Sequence, residues 1–283
     1  MQWEHLTAPD FAQACRSVKG VCILPMGVLE SHGPHLPLGT DLFQAHTVAV
    51  EAAKLEPAVV FPGFYFGQLA GAQHIPGNVC LSHELLLRLL DEVCREIARN
   101  GFHKILLLNA HGGNVAFVQY FIQSTLQYKK NYTVYGMQAM SDEALKQLCE
   151  DRGGALTRLN EIDRGIVMDA AASNNAGGHA GFIETSFVLG VNKHLVHLDR
   201  IYDQDFRNRG RLLELKEAGV LTWNFWYAEY PNNYGADPQG SSKDIGMELI
   251  ALLAQRAAHA VKLIKDDEET GNLQQEFFSG GEV

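Results

Sequence analysis

The chain has 283 residues, of which 46% are hydrophobic and 20% are charged, with 27 glycines and 9 prolines. At roughly 100–200 residues per domain, this length allows one large domain or two small ones, and the composition excludes a disordered or collagen-like chain. The 33 acidic residues outnumber the 23 lysines and arginines, and with a formal net charge of −10 we expect no binding to nucleic acids.

The expected location of the protein follows from three features of the sequence. No apolar stretch reaches the ~18–20 residues needed to cross a bilayer, so we expect no membrane association. The first ten residues, MQWEHLTAPD, lack the basic and then apolar run of a signal peptide. Five cysteines are dispersed without a CxxC pair, which is typical of reduced thiols. We therefore expect a cytoplasmic protein.

Short apolar runs alternate with longer amphipathic stretches along the chain. The apolar runs predict strands at 21–27, 59–66, 104–109 and 132–140. The amphipathic stretches predict helices at 41–55, 84–100, 114–128, 142–150 and 241–264. Ser82 is expected to cap the second helix, and Ser241, with Asp244, the last. This alternation favours an α/β fold, a single-domain three-layer α/β/α sandwich with a mostly parallel central sheet.

Two stretches of the chain show no regular pattern. Residues 151–178 are rich in Gly, Ala and Asn and are expected to be irregular. We expect the main domain to span residues 1–265 and the acidic, Gly-rich tail, 266–283, to be frayed. No repeat or linker divides the chain.

The first segment that can carry chemistry is a stiff loop after the first predicted strand. Within residues 24–41, LPMGVLESHGPHLPLGTD, it contains Glu30, His32, His35 and Asp41. Such side chains suit zinc, manganese or iron, and open α/β sheets bind ligands at the carboxyl ends of their strands. The alternative is a surface loop whose polar groups only satisfy turns, but four such residues in one loop favour a metal site.

The second segment, LNAHGGN at 108–114, places His111 and two glycines directly after another predicted strand. If the two strands are neighbours in the sheet, His111 lies beside the first loop. The HGG sequence also occurs in the oxyanion hole of α/β-hydrolases, but the chain contains no GxSxG nucleophile elbow. It also lacks the HExxH of the zincin metalloproteases.

The third segment, GHAGFIETS at 178–186, places His179 five residues before Glu184. On one helix these side chains would project about 140° apart, so His179 would have to enter a shared pocket from the loop before the helix. Alternatively, Glu184 only stabilises a helix N-terminus, and spacing alone does not separate the two possibilities. His179 is left as an acid–base group. The candidate metal ligands, enough for two ions that share a carboxylate, are Glu30, His32, Asp41, His111 and Glu184.

In order and spacing these segments resemble the creatininase (creatinine amidohydrolase) family. They match its patterns E-x-H-G-x-H-x-P-x-x-x-D, N-x-H-G-G-N and H-A-G-x-x-E-T-S. Weaker matches are QHIPGNVCL at 73–81 and GADP at 235–238. The resemblance extends over nearly the whole chain, to about residue 265.

The resemblance implies an α/β fold and a metal-dependent hydrolase that cleaves a non-peptide or cyclic amide C–N bond of a small molecule. The reaction would proceed through a metal-bridging hydroxide. The implied cofactor is two divalent metal ions per chain, with Zn²⁺ favoured and Mn²⁺ or Fe²⁺ as alternatives. The family also implies a homo-oligomer, a hexamer built from dimers.

Carried over by position, the resemblance implies a role for each candidate ligand. Glu30 and His111 would hold one ion and His32 the other, with Asp41 bridging them. Glu184 would complete the second site or shuttle protons. His179, the acid–base group, would help to protonate the leaving nitrogen.

This chain departs from the creatinine-specific members of the family at two places. Those members carry a Glu as a metal ligand two residues after the His of the second segment, where this chain has Gly113. They also place tryptophans shortly before the His of the third segment, where this chain has Asn174 and Asn175. A substrate other than creatinine is therefore expected, and a formamide deformylase or a precursor-peptide peptidase of the same family is an alternative.

Two further alternatives belong to other functional classes. The chain could be a metal- or small-ligand-binding protein without catalysis, although the presence of every candidate ligand together with His179 speaks against this. It could instead use Cys80 as a nucleophile, although no activating partner is evident nearby in the sequence.

Overall fold

A computed structural model describes residues 1–139, 142–150, 154–172 and 178–280 of the chain. Within these residues a four-stranded parallel sheet has the order β2–β1–β3–β4. The strands are β1 (Val21–Met26), β2 (Val59–Val60), β3 (Lys104–Asn109) and β4 (Thr133–Gln138). Because the strands are parallel, their carboxyl ends meet at one edge of the sheet, where ligands are expected.

Helices connect the strands and follow the sheet along the chain. Those before and between the strands are α1 (Ala8–Ser17), α2 (Thr40–Leu55), α3 (His83–Arg99) and α4 (Asn114–Ser124). Those after the sheet are α5 (Asp142–Cys149), α6 (Ala155–Arg158), α7 (Glu161–Ala172), α8 (Phe182–Asn192), α9 (Leu213–Glu217), α10 (Phe225–Glu229), α11 (Lys243–Asp266) and α12 (Glu269–Ser279). No helix in the described ranges is long and apolar enough to cross a membrane.

The two faces of the sheet carry separate apolar cores. Val21 and Ile23 of β1 pack in one core with residues of α2 and α11. Cys22, Leu24 and Met26 alternate to the other face, where they pack with residues of α1, α3 and α4. Burial on both faces explains why β1 is apolar throughout, and the layers confirm the predicted α/β sandwich.

Glycines allow α8 and α11 to cross at very short range. A Cβ on Gly246 of α11 would lie 1.8 Å from the carbonyl oxygen of Ser186 in α8. A Cβ on Gly190 of α8 would lie 2.8 Å from the carbonyl carbon of Gly246. This contact fixes α8 against α11, and the first turn of α8 carries Glu184.

The structure departs from the predicted elements at several places. The strand predicted at 59–66 ends after Val60. Phe61 N still donates to the Ile23 carbonyl oxygen at 2.8 Å, but Pro62 has no N–H to donate, and the chain next meets β1 in a bridge between Phe64 and Met26. The prediction that 151–178 is irregular is wrong for the parts that form α6 and α7, and 151–153 and 173–177 lie outside the described residues. Between 269 and 279 the tail forms α12 rather than a frayed segment.

The predicted caps are right for one helix and wrong for another. Ser82 caps α3 as expected, since its side chain accepts a hydrogen bond from Leu85 N. Ser242, rather than Ser241, caps α11 by accepting from Ile245 N at 3.2 Å. The hydroxyl of Ser241 instead lies 2.6 Å from the Pro238 carbonyl oxygen and 3.1 Å from the Phe182 carbonyl oxygen of α8.

Candidate metal centre

Two adjacent strands deliver the first part of the site. β1 and β3 are paired so that Met26 lies opposite Asn109, and both loops therefore leave the sheet at the same point. The loop after β1 brings Glu30 and His32, and its continuation into α2 brings Asp41 on the first turn. The loop after β3 brings His111, so that all four side chains are buried together.

His111 faces two carboxylates. Its Nδ1 lies 2.9 Å from Asp41 Oδ2 and 3.1 Å from Glu30 Oε2. Its Nε2 donates to the Gln68 carbonyl oxygen at 2.9 Å, and since a carbonyl only accepts, this nitrogen carries a proton. Neither of the two carboxylate oxygens has a hydrogen-bond partner, although both are buried. Buried oxygens of this kind need a cation or a proton beside them.

His32 repeats this pattern on the other side of Asp41. Its Nδ1 donates to the Glu30 carbonyl oxygen at 2.9 Å, and its Nε2 lies 3.1 Å from Asp41 Oδ1. Glu184 Oε2 lies 3.7 Å from the same Nε2 and accepts a hydrogen bond from Ala180 N at 2.6 Å. Asp41 thus presents one oxygen to each histidine.

Three groups of side chains in the described residues bring their possible ligand atoms within 4.8 Å of one another. They are Glu30–Asp41–His111, His32–Asp41–Glu184 and Glu30–His32–His179. The first two share Asp41, and together they contain all five of the ligands that the sequence predicted. The structure therefore brings together the residues of three segments that lie up to about 150 positions apart in the chain.

The charges of the site shift the pKa values of its members. Burial alone would raise the pKa of each carboxyl and lower that of each imidazole. The charges of His32 and His111 nevertheless hold the pKa of Asp41 well below its usual range. The charges of His179 and His111 lower the pKa of Glu30 to about 2. Against burial, the charge of Asp41 raises the pKa of His32 to about 10, and carboxylates also raise the pKa of His111. The ionised carboxylates of the site therefore favour a positive charge beside them, on the imidazoles or on a bound cation.

His179 lies in the loop before α8, which is one of the two possibilities that the sequence left open. Its Nε2 lies 2.8 Å from the carbonyl oxygen of Ser31, to which it donates. Its ring lies 4.1 Å from the ring of His32, and the indole of Trp226 meets it edge-on at 5.4 Å. The half-buried imidazole thus stands next to both carboxylate–histidine groups.

His35 lies outside the ligand groups, although it belongs to the same loop. Its Nε2 is 2.9 Å from the hydroxyl of Thr185, so it joins the loop to α8. Burial, and then the charge of His32, lower the pKa of His35 to about 4. The side chain is therefore neutral at pH 7 and serves as a packed connection between two elements of the site.

Cys80 is poorly suited to act as a nucleophile. Its thiol donates to the Leu69 carbonyl oxygen at 3.3 Å. Burial, and then the charge of Glu30, raise the pKa of this thiol. A raised pKa reduces the fraction of thiolate, which is the reactive form.

Comparison with known families gives a match to the model described as Creatininase: Creatinine amidohydrolase, over residues 4–261. The chain belongs to the creatininase family. Among curated relatives, a creatinine amidohydrolase of Pseudomonas putida is 27% identical over 208 residues, which cover 72% of this chain and 74% of that protein. A mycofactocin precursor peptide peptidase of Mycolicibacterium smegmatis is 38% identical over 191 residues, covering 65% and 63%.

Other relatives differ in what their names describe and in how much they cover. A deformylase of Methanococcus voltae, named for 2-amino-5-formylamino-6-ribosylaminopyrimidin-4(3H)-one 5′-monophosphate, is 29% identical over 133 residues, covering 46% of this chain and 49% of that protein. A solved structure of creatininase with Mn superposes with a TM-score of 0.68 at 23% identity, covering 92% of this chain and 97% of that one. At this identity the superposition confirms the fold.

Gly113 stands in a crowded part of the loop after β3. A Cβ at this position would lie 2.5 Å from His111 Nε2 and 2.7 Å from the Gln68 carbonyl oxygen. The hydrogen bond between these two groups passes directly over the glycine. A side chain at position 113 would therefore have to displace one of these two groups.

Of the three tryptophans of the chain, one contacts the candidate site. Trp226 of α10 packs at right angles against the ring of His179, with the two ring centroids 5.4 Å apart. Trp223 is 81% exposed, and Trp3 packs against Phe11 at the N-terminal end of the chain. Asn174 and Asn175 lie outside the described residues.

Sequence reasoning missed three asparagines that organise the site. Asn109 Nδ2 donates to the His111 carbonyl oxygen at 2.7 Å, and Asn114 Nδ2 donates to Asn109 Oδ1 at 3.0 Å. Both belong to the motif N-x-H-G-G-N, which was the available signal. Asn233 Nδ2 donates to Glu30 Oε1 at 3.0 Å, although the two residues are 203 positions apart in the chain. No local sequence pattern identifies Asn233.

Proposed function

We propose that this chain is a metal-dependent amidohydrolase that cleaves a non-peptide or cyclic amide C–N bond of a small molecule. The observation that supports this most directly is the position of the Asp41 carboxylate. Its Oδ2 lies 2.9 Å from His111 and its Oδ1 lies 3.1 Å from His32, so it stands between two sets of ligands. A shared carboxylate suits the two-metal sites that activate water for hydrolysis.

The donor set fits divalent metal ions. Each histidine offers one ring nitrogen to carboxylates while the other donates to a backbone carbonyl, as metal-binding histidines do. Nitrogen and carboxylate donors without a thiolate suit Zn²⁺, with Mn²⁺ or Fe²⁺ as alternatives. The proposed ligands of two ions per chain are Glu30, His32, Asp41, His111 and Glu184.

The remaining side chains supply the proton chemistry. Bound ions of this kind provide a water activated for attack at neutral pH and polarise the amide carbonyl. His179 holds a proton on Nε2 against the Ser31 carbonyl oxygen and delivers it to the leaving nitrogen. The Trp226 indole packs at right angles against the His179 ring and so holds its orientation. Glu184, held by Ala180 N, acts as a ligand or alternatively as a proton shuttle.

Metal removal and reloading test this function. The protein is stripped with a chelator, its metal content is measured by elemental analysis, and it is reloaded with Zn²⁺, Mn²⁺ or Fe²⁺. Each form is then assayed with creatinine, formamides, lactams and short peptides. We expect two ions per chain and turnover that depends on them, whereas full activity of metal-free protein would overturn the proposal.

A second candidate function within the family is the hydrolysis of a formamide or of a precursor peptide. One observation favours it over creatinine: a Cβ at Gly113 would lie 2.5 Å from His111 Nε2, which leaves no room for the acidic side chain that the resemblance implies there in creatinine-specific members. Relatives named as peptide peptidases are 28% and 38% identical to this chain. The same substrate panel separates these cases. If the protein bound metal but turned over none of these substrates, a metal- or ligand-binding protein without catalysis would be favoured instead.

Three wider proposals rest on the family and on composition. We propose that residues 1–265 form the catalytic domain and that the protein assembles into a homo-oligomer, a hexamer built from dimers. We also propose a cytoplasmic location with a small-molecule amide as partner and no nucleic-acid or membrane partner, in keeping with the net charge of −10. Light scattering of the purified protein tests the hexamer directly.

A further inference from the structure

We infer that Asn233 is a positioning residue, which holds the carboxylate of Glu30 so that only its Oε2 is offered to an ion beside Asp41 and His111. This inference rests on the proposed function. It assigns to a residue outside the three motif segments the task of orienting a ligand.

The backbone at Asn233 explains part of the choice of residue. Its φ is +56°, in the left-handed region, and its N–H donates to the Tyr230 carbonyl oxygen at 3.0 Å. Asn and Gly tolerate this region better than other residues. The side chain is fully buried, so a glycine would satisfy the backbone but leave the buried polar partners of Asn233 without a donor.

The orientation of the carboxamide is fixed by Trp226. The indole N–H can only donate, and it donates to Asn233 Oδ1. Nδ2 must therefore point the other way, where it lies 3.0 Å from Glu30 Oε1 and 2.7 Å from the Ser31 carbonyl oxygen. Both hydrogens of the amide thus have acceptors on the metal-binding loop.

These contacts divide the two oxygens of Glu30 between different tasks. Oε1 accepts from Asn233, whereas Oε2 has no hydrogen-bond partner and faces His111 Nδ1 at 3.1 Å. Without Asn233 the carboxylate could rotate, since nothing else in the described residues is seen to hold Oε1. The Ser31 carbonyl oxygen, which also accepts from His179, would lose its second donor at the same time.

The test measures Zn²⁺ affinity on metal-stripped full-length protein by competition with a chromophoric chelator. Asn233→Gly keeps the backbone conformation, and Asn233→Asp keeps both the shape and the acceptor for Trp226 while removing the donors. Trp226→Phe is a milder variant that releases the amide without touching it. Asn232→Ala is the matched control, because this neighbouring carboxamide donates to the Asp205 carbonyl oxygen and not to the site.

We expect Asn233→Gly and Asn233→Asp to weaken one of the two Zn²⁺ equivalents by ~10–100-fold, the usual effect of losing a hydrogen bond to a metal ligand. The other equivalent, and both equivalents in Asn232→Ala, should change by about twofold or less. Trp226→Phe should weaken the same equivalent by a smaller factor. In a Glu30→Ala background, Asn233→Gly should have no further effect, because the residue acts through Glu30.

Three outcomes would overturn the inference. Folded Asn233 variants could bind both equivalents like the wild type, both equivalents could weaken equally, or the Asn233→Gly effect could persist in the Glu30→Ala background. The last two would indicate a merely structural role. A wild-type protein that binds no Zn²⁺ would refute the proposed function as well, so the two failures are distinguishable.

Discussion

The two sides of the candidate site are built by different means. One side, the loops after β1 and β3, is fixed by the register of two buried parallel strands, which places Asp41 and His111 within 2.9 Å of each other. The other side, formed by 178–186 and 225–235, is held by turns that include left-handed residues at Ala180 and Asn233. The first, which we call the strand side, carries four of the five proposed metal ligands. The second, which we call the turn side, carries Glu184, the proposed proton donor His179 and the proposed positioning residue Asn233.

The largest effect is expected at the centre of the strand side. Asp41→Ala should abolish retention of both metal ions, because each ion would lose a ligand of a site that already has few donors. Elemental analysis after dialysis measures this directly. Asp163→Ala is the control, since this buried Asp of α7 contacts Asn160 and not the site, and retention of two ions by Asp41→Ala would refute the bridging role.

On the turn side we expect a smaller effect, on kcat rather than on metal retention. His179→Ala should lower kcat by ~10²–10⁴-fold, the usual contribution of general acid–base catalysis, with metal content unchanged. His194→Ala is the control, since this histidine lies in the 3₁₀ turn Lys193–Leu195 that follows α8. Loss of an ion from His179→Ala would instead indicate that His179 is a metal ligand, and the turn side would then supply ligands as well as orienting groups.

The sequence predicts the strand side far better than the turn side. Motifs next to β1 and β3 predict side chains that the structure brings together, because adjacent parallel strands end at the same edge of the sheet. Nothing local separates His32 from His35, which differ only in whether the loop turns them toward Asp41 or toward Thr185. Asn233 could not be predicted, because its partner lies 203 positions away and the turn that carries it has no periodic pattern.

The pH dependence of metal binding tests the electrostatics of the strand side. In the metal-free protein the pKa of His32 is raised to about 10 and that of His111 is also raised, so both imidazoles are protonated at pH 7. The pKa values of Asp41 and Glu30 are lowered, so these groups are already ionised. Ion binding must therefore release protons from the histidines and should strengthen as the pH rises, by up to about tenfold per proton per pH unit.

Calorimetry of Zn²⁺ binding in buffers with different ionisation enthalpies counts the protons released. We expect a net release of at least two protons per chain at pH 7, one from each of the two histidines proposed as ligands, and any further proton would come from a bound water. Binding that is independent of buffer and pH would contradict protonated imidazoles in the metal-free site.

The smallest expected effect concerns the two glycines that follow His111. Gly113→Ala should lower stability by ~1–3 kcal/mol, a typical cost of overpacking, since its Cβ would press on His111 Nε2 and the Gln68 carbonyl. Gly112→Ala is a matched control in the same loop, because a Cβ there would meet nothing within 4 Å. Thermal unfolding of both variants in the metal-free state, followed by Zn²⁺ titration, measures the difference. If Gly113→Ala behaved like Gly112→Ala, the hydrogen bond between Gln68 and His111 would not constrain the loop, and this chain could accommodate a side chain at position 113.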